Sequence, residues 1–143
     1  MRAKRTVTVL SSDIRPALPN ETIRFTHKNR KNMKPEYKPF VDALIELAIR
    51  EDIGDGDHTS LCCIPATEKG RMRLLCKQEG ILAGIEIAQL VLRRLDPEMQ
   101  FEQILRDGDR VKPGDVAFYV SGRLQSLLQA ERILLNIMQR MSG

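Results

Sequence analysis

The stretch KGRMRLLCKQEGILAG, Lys69 to Gly84, alternates in its middle and then breaks on glycine. Met72, Leu74 and Cys76 fall on one side of an extended chain and Arg71, Arg73 and Lys77 mostly on the other, the pattern of a half-buried strand. Past Gly80 and Gly84 the period changes. Ile87, Leu90, Val91 and Leu95 recur at helical spacing until Asp96–Pro97 stops the helix. Strand and helix therefore succeed each other directly, and the fold class expected is α+β.

Upstream, Pro39 suits a first helical turn, where its missing N–H costs nothing. Phe40, Val41, Leu44, Ile45, Leu47 and Ala48 then recur at helical spacing, opposite Asp42, Glu46 and Arg50. This amphipathic helix ends in EDIGDGDHTS, Glu51 to Ser60. The acids and hydroxyls there read as a helix stop and turn, with Asp57, Thr59 and Ser60 capping the start of a short helix. A zinc site built from His58, Cys62 and Cys63 lacks a second closing pair at the usual spacing.

Downstream, QFEQIL reads as a strand, and RDGDRVKPGDVAFYVSG as turn, strand and turn around Asp107–Gly108 and Pro113–Gly114. From Ser121, taken as the region of the N-cap, the chain reads as helical to a stop at Gly143. Apolar residues cover most of this last helix. Gln125, Gln129, Arg132, Asn136, Gln139 and Arg140 form a polar stripe along it. So apolar a helix needs partners on several sides.

The charge is unevenly placed. Residues 1–33 hold eight Lys/Arg against two acids, and the remainder holds 15 against 17, out of a total net charge of +4. Residues 1–33 are therefore expected to be a basic, disordered extension or a misassigned start ahead of Met33, with the folded domain at 34–143. The folded part is slightly acidic, so neither a nucleic-acid nor a membrane partner is expected. Three cysteines without a C-x-x-C argue for reduced thiols and, with no run of about 18 apolar residues, for a soluble cytoplasmic protein.

Five motifs in order, ALIELAIREDIGDGDHTS, GILAG, LDP, DGDRVKPGD and LLQAERILLNIMQRMSG, make residues 34–143 resemble the N-terminal domain of quinolinate phosphoribosyltransferase, or nicotinate-nucleotide pyrophosphorylase (carboxylating). The resemblance implies a small α/β sandwich of helix, sheet and long C-terminal helix, the N-terminal domain of a type II phosphoribosyltransferase. It implies a glycosyltransferase that converts quinolinate and phosphoribosyl pyrophosphate, with magnesium, to nicotinate mononucleotide, pyrophosphate and carbon dioxide in NAD synthesis. In the family a C-terminal α/β-barrel carries most of the site, and the N-terminal domain of one subunit caps the barrel of its dimer partner. The barrel is absent from this chain, so the chain alone is expected to be inactive, and no catalytic residue or metal ligand is assigned to it.

The family's arginine at the AERILLN motif reaches into the neighbouring subunit's site, and here it is Arg132. A guanidinium offers a flat pair of donors that match the carboxylates of quinolinate. Arg140, two turns on, is the weaker substrate-binding candidate, and Asn136 and Gln139 are candidates for orienting the stripe. His27 and His58 carry no catalytic constellation. Two other readings compete: a biotinyl- or lipoyl-like carrier module presenting Lys77 or Lys112, and a barrel-less interaction domain.

Overall fold

A computed structural model describes residues 10–16, 33–54 and 62–142. At its centre β1 (Leu10–Pro16), β2 (Lys69–Cys76), β4 (Gln100–Gln103) and β6 (Val116–Arg123) form a four-stranded antiparallel sheet in the order β1-β2-β6-β4. A second ladder pairs β3 (Gly80–Ile81) with β5 (Arg110–Val111). Three helices lie wholly within the described residues: α1 (Lys38–Ile53), entered through a 3₁₀ turn at Pro35–Tyr37, α2 (Ile85–Leu95) and α3 (Leu124–Met141).

The alternation in β2 does what its period demands. Met72, Leu74 and Cys76 have no exposed surface, whereas Arg73 is exposed and Arg71 half-buried. On the covered side of the sheet α3 packs against β1, β2 and β6. Phe118, Leu127, Ile133, Leu134 and Met138 fill the core there. Fully burying each such side chain contributes roughly 1.5–3 kcal/mol. The register of β2 against β6 slips at Leu74/Leu75, where Ala117 is the extra residue. Its carbonyl accepts from the N–H groups of Ile104 and Leu105, which closes the chain leaving β4.

The domain does not begin at residue 34. Seven residues from the stretch expected to be a disordered extension form β1, paired with β2 from Leu10↔Cys76 to Pro16↔Gly70. An edge strand is held by backbone hydrogen bonds and needs no apolar alternation of its own, which is why its composition did not betray it. Pro16 sits at its end, where a missing donor is tolerated. Apart from Met33, the rest of that stretch, including His27, lies outside the described residues, as do residues 55–61 with His58 and the expected caps at Asp57, Thr59 and Ser60. Gly54, at φ 54°, does end α1, and its N–H donates to the Arg50 carbonyl.

Two more expectations are corrected. Ser121 lies two residues before the N-cap, Arg123, but the chain is not yet helical there: β6 continues to Arg123, because β2 pairs with it as far as Lys69↔Arg123. The helix starts at Leu124, whose N–H donates to the Glu68 carbonyl, and it ends at Ser142. On α1 the core takes Ile45 with Val41, Ala48, Ile49 and Ile53, while Phe40, Leu44 and Leu47 stay exposed. Both stripes are apolar in sequence, and only docking on α2 and α3 selects between them.

Candidate functional site

α3 is fastened at both ends. At its start, Asp96, the stop of α2, is buried, and its Oδ2 accepts from Arg123 Nε at 2.8 Å and from Ser126 Oγ at 3.0 Å. Its Oδ1 accepts from the Glu98 N–H. The Arg123 hydrogen bond holds this carboxyl below the usual carboxylate range, against the opposing pull of burial. Gln125 Nε2 donates to the Ile64 carbonyl at 2.6 Å. At its end, Ser142 Oγ accepts from the Ala83 N–H at 3.0 Å and donates to the Ala83 carbonyl at 3.1 Å.

The motif GILAG thereby meets the end of α3. Gly84 has φ 102°, and a Cβ there would lie 3.2 Å from Met141 Sδ and 3.4 Å from Met138 Cγ. Glycine is needed for the backbone conformation and for the close approach together. Across the same junction Asp107 Oδ1 accepts from the Ile85 N–H at 2.8 Å, capping α2 from another loop.

With α3 fixed, its outward stripe is fixed too. Arg132, Asn136 and Arg140 are all exposed, one turn apart, so the two guanidinium groups spring from backbone points about 12 Å apart along the axis. Several other arginines of the domain are spoken for. Arg123 bonds Asp96, Arg94 reaches Asp42 at 3.5 Å and Glu46 at 3.1 Å, and Arg71 reaches Glu102 at 3.6 Å. The Arg132 and Arg140 side chains make no hydrogen bond or ion pair with the described residues. Asn136 makes none to either of them, and Gln139 is half-buried beside Arg140.

The acids of the turn motif are absorbed locally. Asp109 accepts from the Arg106 N–H and Asp115 from the Lys112 N–H. Among the described residues no three His, Cys, Asp or Glu side chains gather as a metal would require, so no magnesium step is assigned to them. No described helix is long and apolar enough to cross a membrane. The fastenings of α3 through Asp96, Gln125 and Ser142 were not foreseen. An aspartate next to proline was the only signal, and it read equally well as a helix stop.

Residues 57–142 match the family described as quinolinate phosphoribosyl transferase, N-terminal domain. Quinolinate phosphoribosyltransferase [decarboxylating] 1 of Nicotiana glauca is 40% identical over 114 residues, which cover 78% of this chain and 33% of that protein. The chloroplastic nicotinate-nucleotide pyrophosphorylase [carboxylating] of Arabidopsis thaliana is likewise 40% identical over 114 residues, with the same shares of 78% and 33%. The crystal structure of NadC from Streptococcus pyogenes superposes with a TM-score of 0.69 at 29% identity, over 76% of this chain and 38% of that one. The nicotinate-nucleotide pyrophosphorylase of Francisella tularensis does so with a TM-score of 0.68 at 27% identity, over 78% and 39%.

The chain thus spans about a third of the length of the curated relatives it matches, and the matched third contains no barrel. The carrier and interaction-module readings are not favoured by these likenesses. From its sheet and helices, and from the match across most of them, the chain belongs to the family of quinolinate phosphoribosyltransferase N-terminal domains.

Proposed function

We propose that this chain is the capping domain of an enzyme that joins quinolinate and phosphoribosyl pyrophosphate to give nicotinate mononucleotide, pyrophosphate and carbon dioxide. The names of its relatives support the reaction, and one observation supports a role for this domain: Arg132 is an exposed cation without a partner among the described residues, on a helix fastened at both ends. Its guanidinium donates two parallel hydrogen bonds to one carboxylate of quinolinate, across a homodimer or higher oligomer, in the barrel site of the neighbouring subunit. Arg140 lies on the same stripe and is the secondary contact.

The contribution is orientation and charge. Loss of pyrophosphate builds positive character on the ribose carbon, and the attacking pyridine nitrogen must be aimed at it. An arginine already held by a rigid helix aims the ring without ordering a loop at the moment of reaction. Cytoplasmic localisation is part of the proposal, and cell fractionation tests it against the organelles named for the plant relatives.

The experiment is quinolinate-dependent release of pyrophosphate, measured for this chain alone and after mixing with a separately expressed barrel half of a related enzyme. Activity in the mixture, lost on Arg132→Ala with the helix content unchanged, is the expected result. No activity in a mixture whose halves are shown to associate overturns the capping role.

A further inference from the structure

The face of the sheet turned away from the helices gathers three arginines at its centre. Arg15 on β1 stands directly opposite Arg71 on β2, and Arg73, two residues along, stands opposite Tyr119 on β6. Alternate residues of a strand share a face, so all four belong to one side. Together they line a concavity of about 310 Å³. Arg71 is held in place by its neighbours: its guanidinium lies 4.3 Å from the Tyr119 ring centroid and 3.6 Å from Glu102 on β4. Arg15 and Arg73 are exposed at the rim.

Like charges directly opposite across an antiparallel pair are destabilising, yet β1 and β2 bring Arg15 and Arg71 into that register. Asp13 is paired with Arg73 and Glu102 with Tyr119, so two acids accompany three arginines at these register positions. Three guanidinium groups around one hollow match the three free oxygens of a phosphate group, each able to accept charge-assisted hydrogen bonds. The volume suits a small molecule. The aromatic ring already lies against Arg71, so no free stacking platform is offered to the bases of a nucleic-acid strand.

We propose that the concavity at Arg15, Arg71, Arg73 and Tyr119 is a binding site for a small phosphate-bearing anion. It lies on the opposite face of the sheet from α3 and is separate from Arg132. The proposal stands whether or not the capping role of Arg132 does.

The test is isothermal titration of the full chain with pyrophosphate and, separately, with ribose 5-phosphate, at matched ionic strength, against sodium chloride and citrate as controls. Saturable binding of either phosphate is expected, and the stronger of the two identifies a free phosphate or a phosphosugar as the source. Binding weakens about tenfold in Arg15→Gln and in Arg73→Gln, both exposed positions whose variants keep the circular dichroism of the parent. Equal responses to chloride or citrate, retention of binding in both glutamine variants, or binding of a single-stranded oligonucleotide with none of either phosphate would each overturn the proposal.

Discussion

Arg132 stands in the middle of α3 with an apolar core behind it and no described acid in front of it. Replacing an exposed, unpaired arginine removes no packing, so Arg132→Ala is expected to leave the stability measured by urea unfolding within about 0.5 kcal/mol of the parent. In the reconstituted enzyme kcat/KM should fall roughly 10- to 100-fold, the range of a lost hydrogen bond to a charged group. Arg132→Lys should recover little of it, since an ammonium keeps the charge without the paired donors. Asp96 is the opposite case, buried and accepting from Arg123, Ser126 and Glu98. Its carboxyl is held below the usual range in the folded chain, chiefly by the Arg123 hydrogen bond. The native state therefore binds fewer protons there than the unfolded one. Its contribution is present above the ordinary carboxylate pKa and is lost as pH falls through the lowered value. Urea melts from about pH 7 down to about pH 3 should show this acid-side loss, and Asp96→Ala should lack that component. At neutral pH Asp96→Ala should cost about 2–3 kcal/mol, because the Ser126 hydroxyl and the Glu98 N–H lose a charged acceptor.

At the scale of elements, the junction between the α2 start and the α3 end is held by shape. Gly84→Ala must adopt φ 102° and push its Cβ against Met141 and Met138. A loss of about 1–3 kcal/mol is expected in equilibrium unfolding. Gly108, also in the left-handed region at φ 94°, has nothing within 4 Å of an added Cβ, so alanine there should cost only the backbone strain. The comparison separates conformation from crowding. β2 was legible from its alternation and α2 from its period, because each element presents a single buried face. β1 was not, and neither was the last part of β6, since both are specified by the partner strand they pair with.

For the whole molecule, thiol reactivity reports the packing. Cys62 and Cys63 are exposed and Cys76 is wholly buried, its pKa pushed up by burial and by the nearby Asp115. A thiol reagent should therefore label two cysteines rapidly in the native chain and the third only on unfolding. The outer stripe of α1 is a second global feature. Tyr37, Phe40 and Leu44 are each more than half exposed, and Leu47 nearly so. Apolar surface of this continuity favours association, so light scattering should show a mass that rises with concentration, and Phe40→Ser with Leu44→Ser should lower it.

Local pattern alone determined the strand at Lys69–Cys76, the helices at Ile85–Leu95 and through Arg132, and the turns at Gly108 and Gly114, because periodicity and φ preference act within a few residues. The motif order also carried the family, and with it the choice of Arg132. Tertiary structure decided the features that depend on contacts between distant residues: that Leu10–Pro16 joins the sheet, that the second apolar stripe of α1 faces outward, and that Asp96 and Ser142 fasten α3. It also brought Arg15 to Arg71 across 56 positions of chain. None of these has a period, since each is a pairing chosen by the whole fold and stabilised by backbone hydrogen bonds or buried area that no single segment owns.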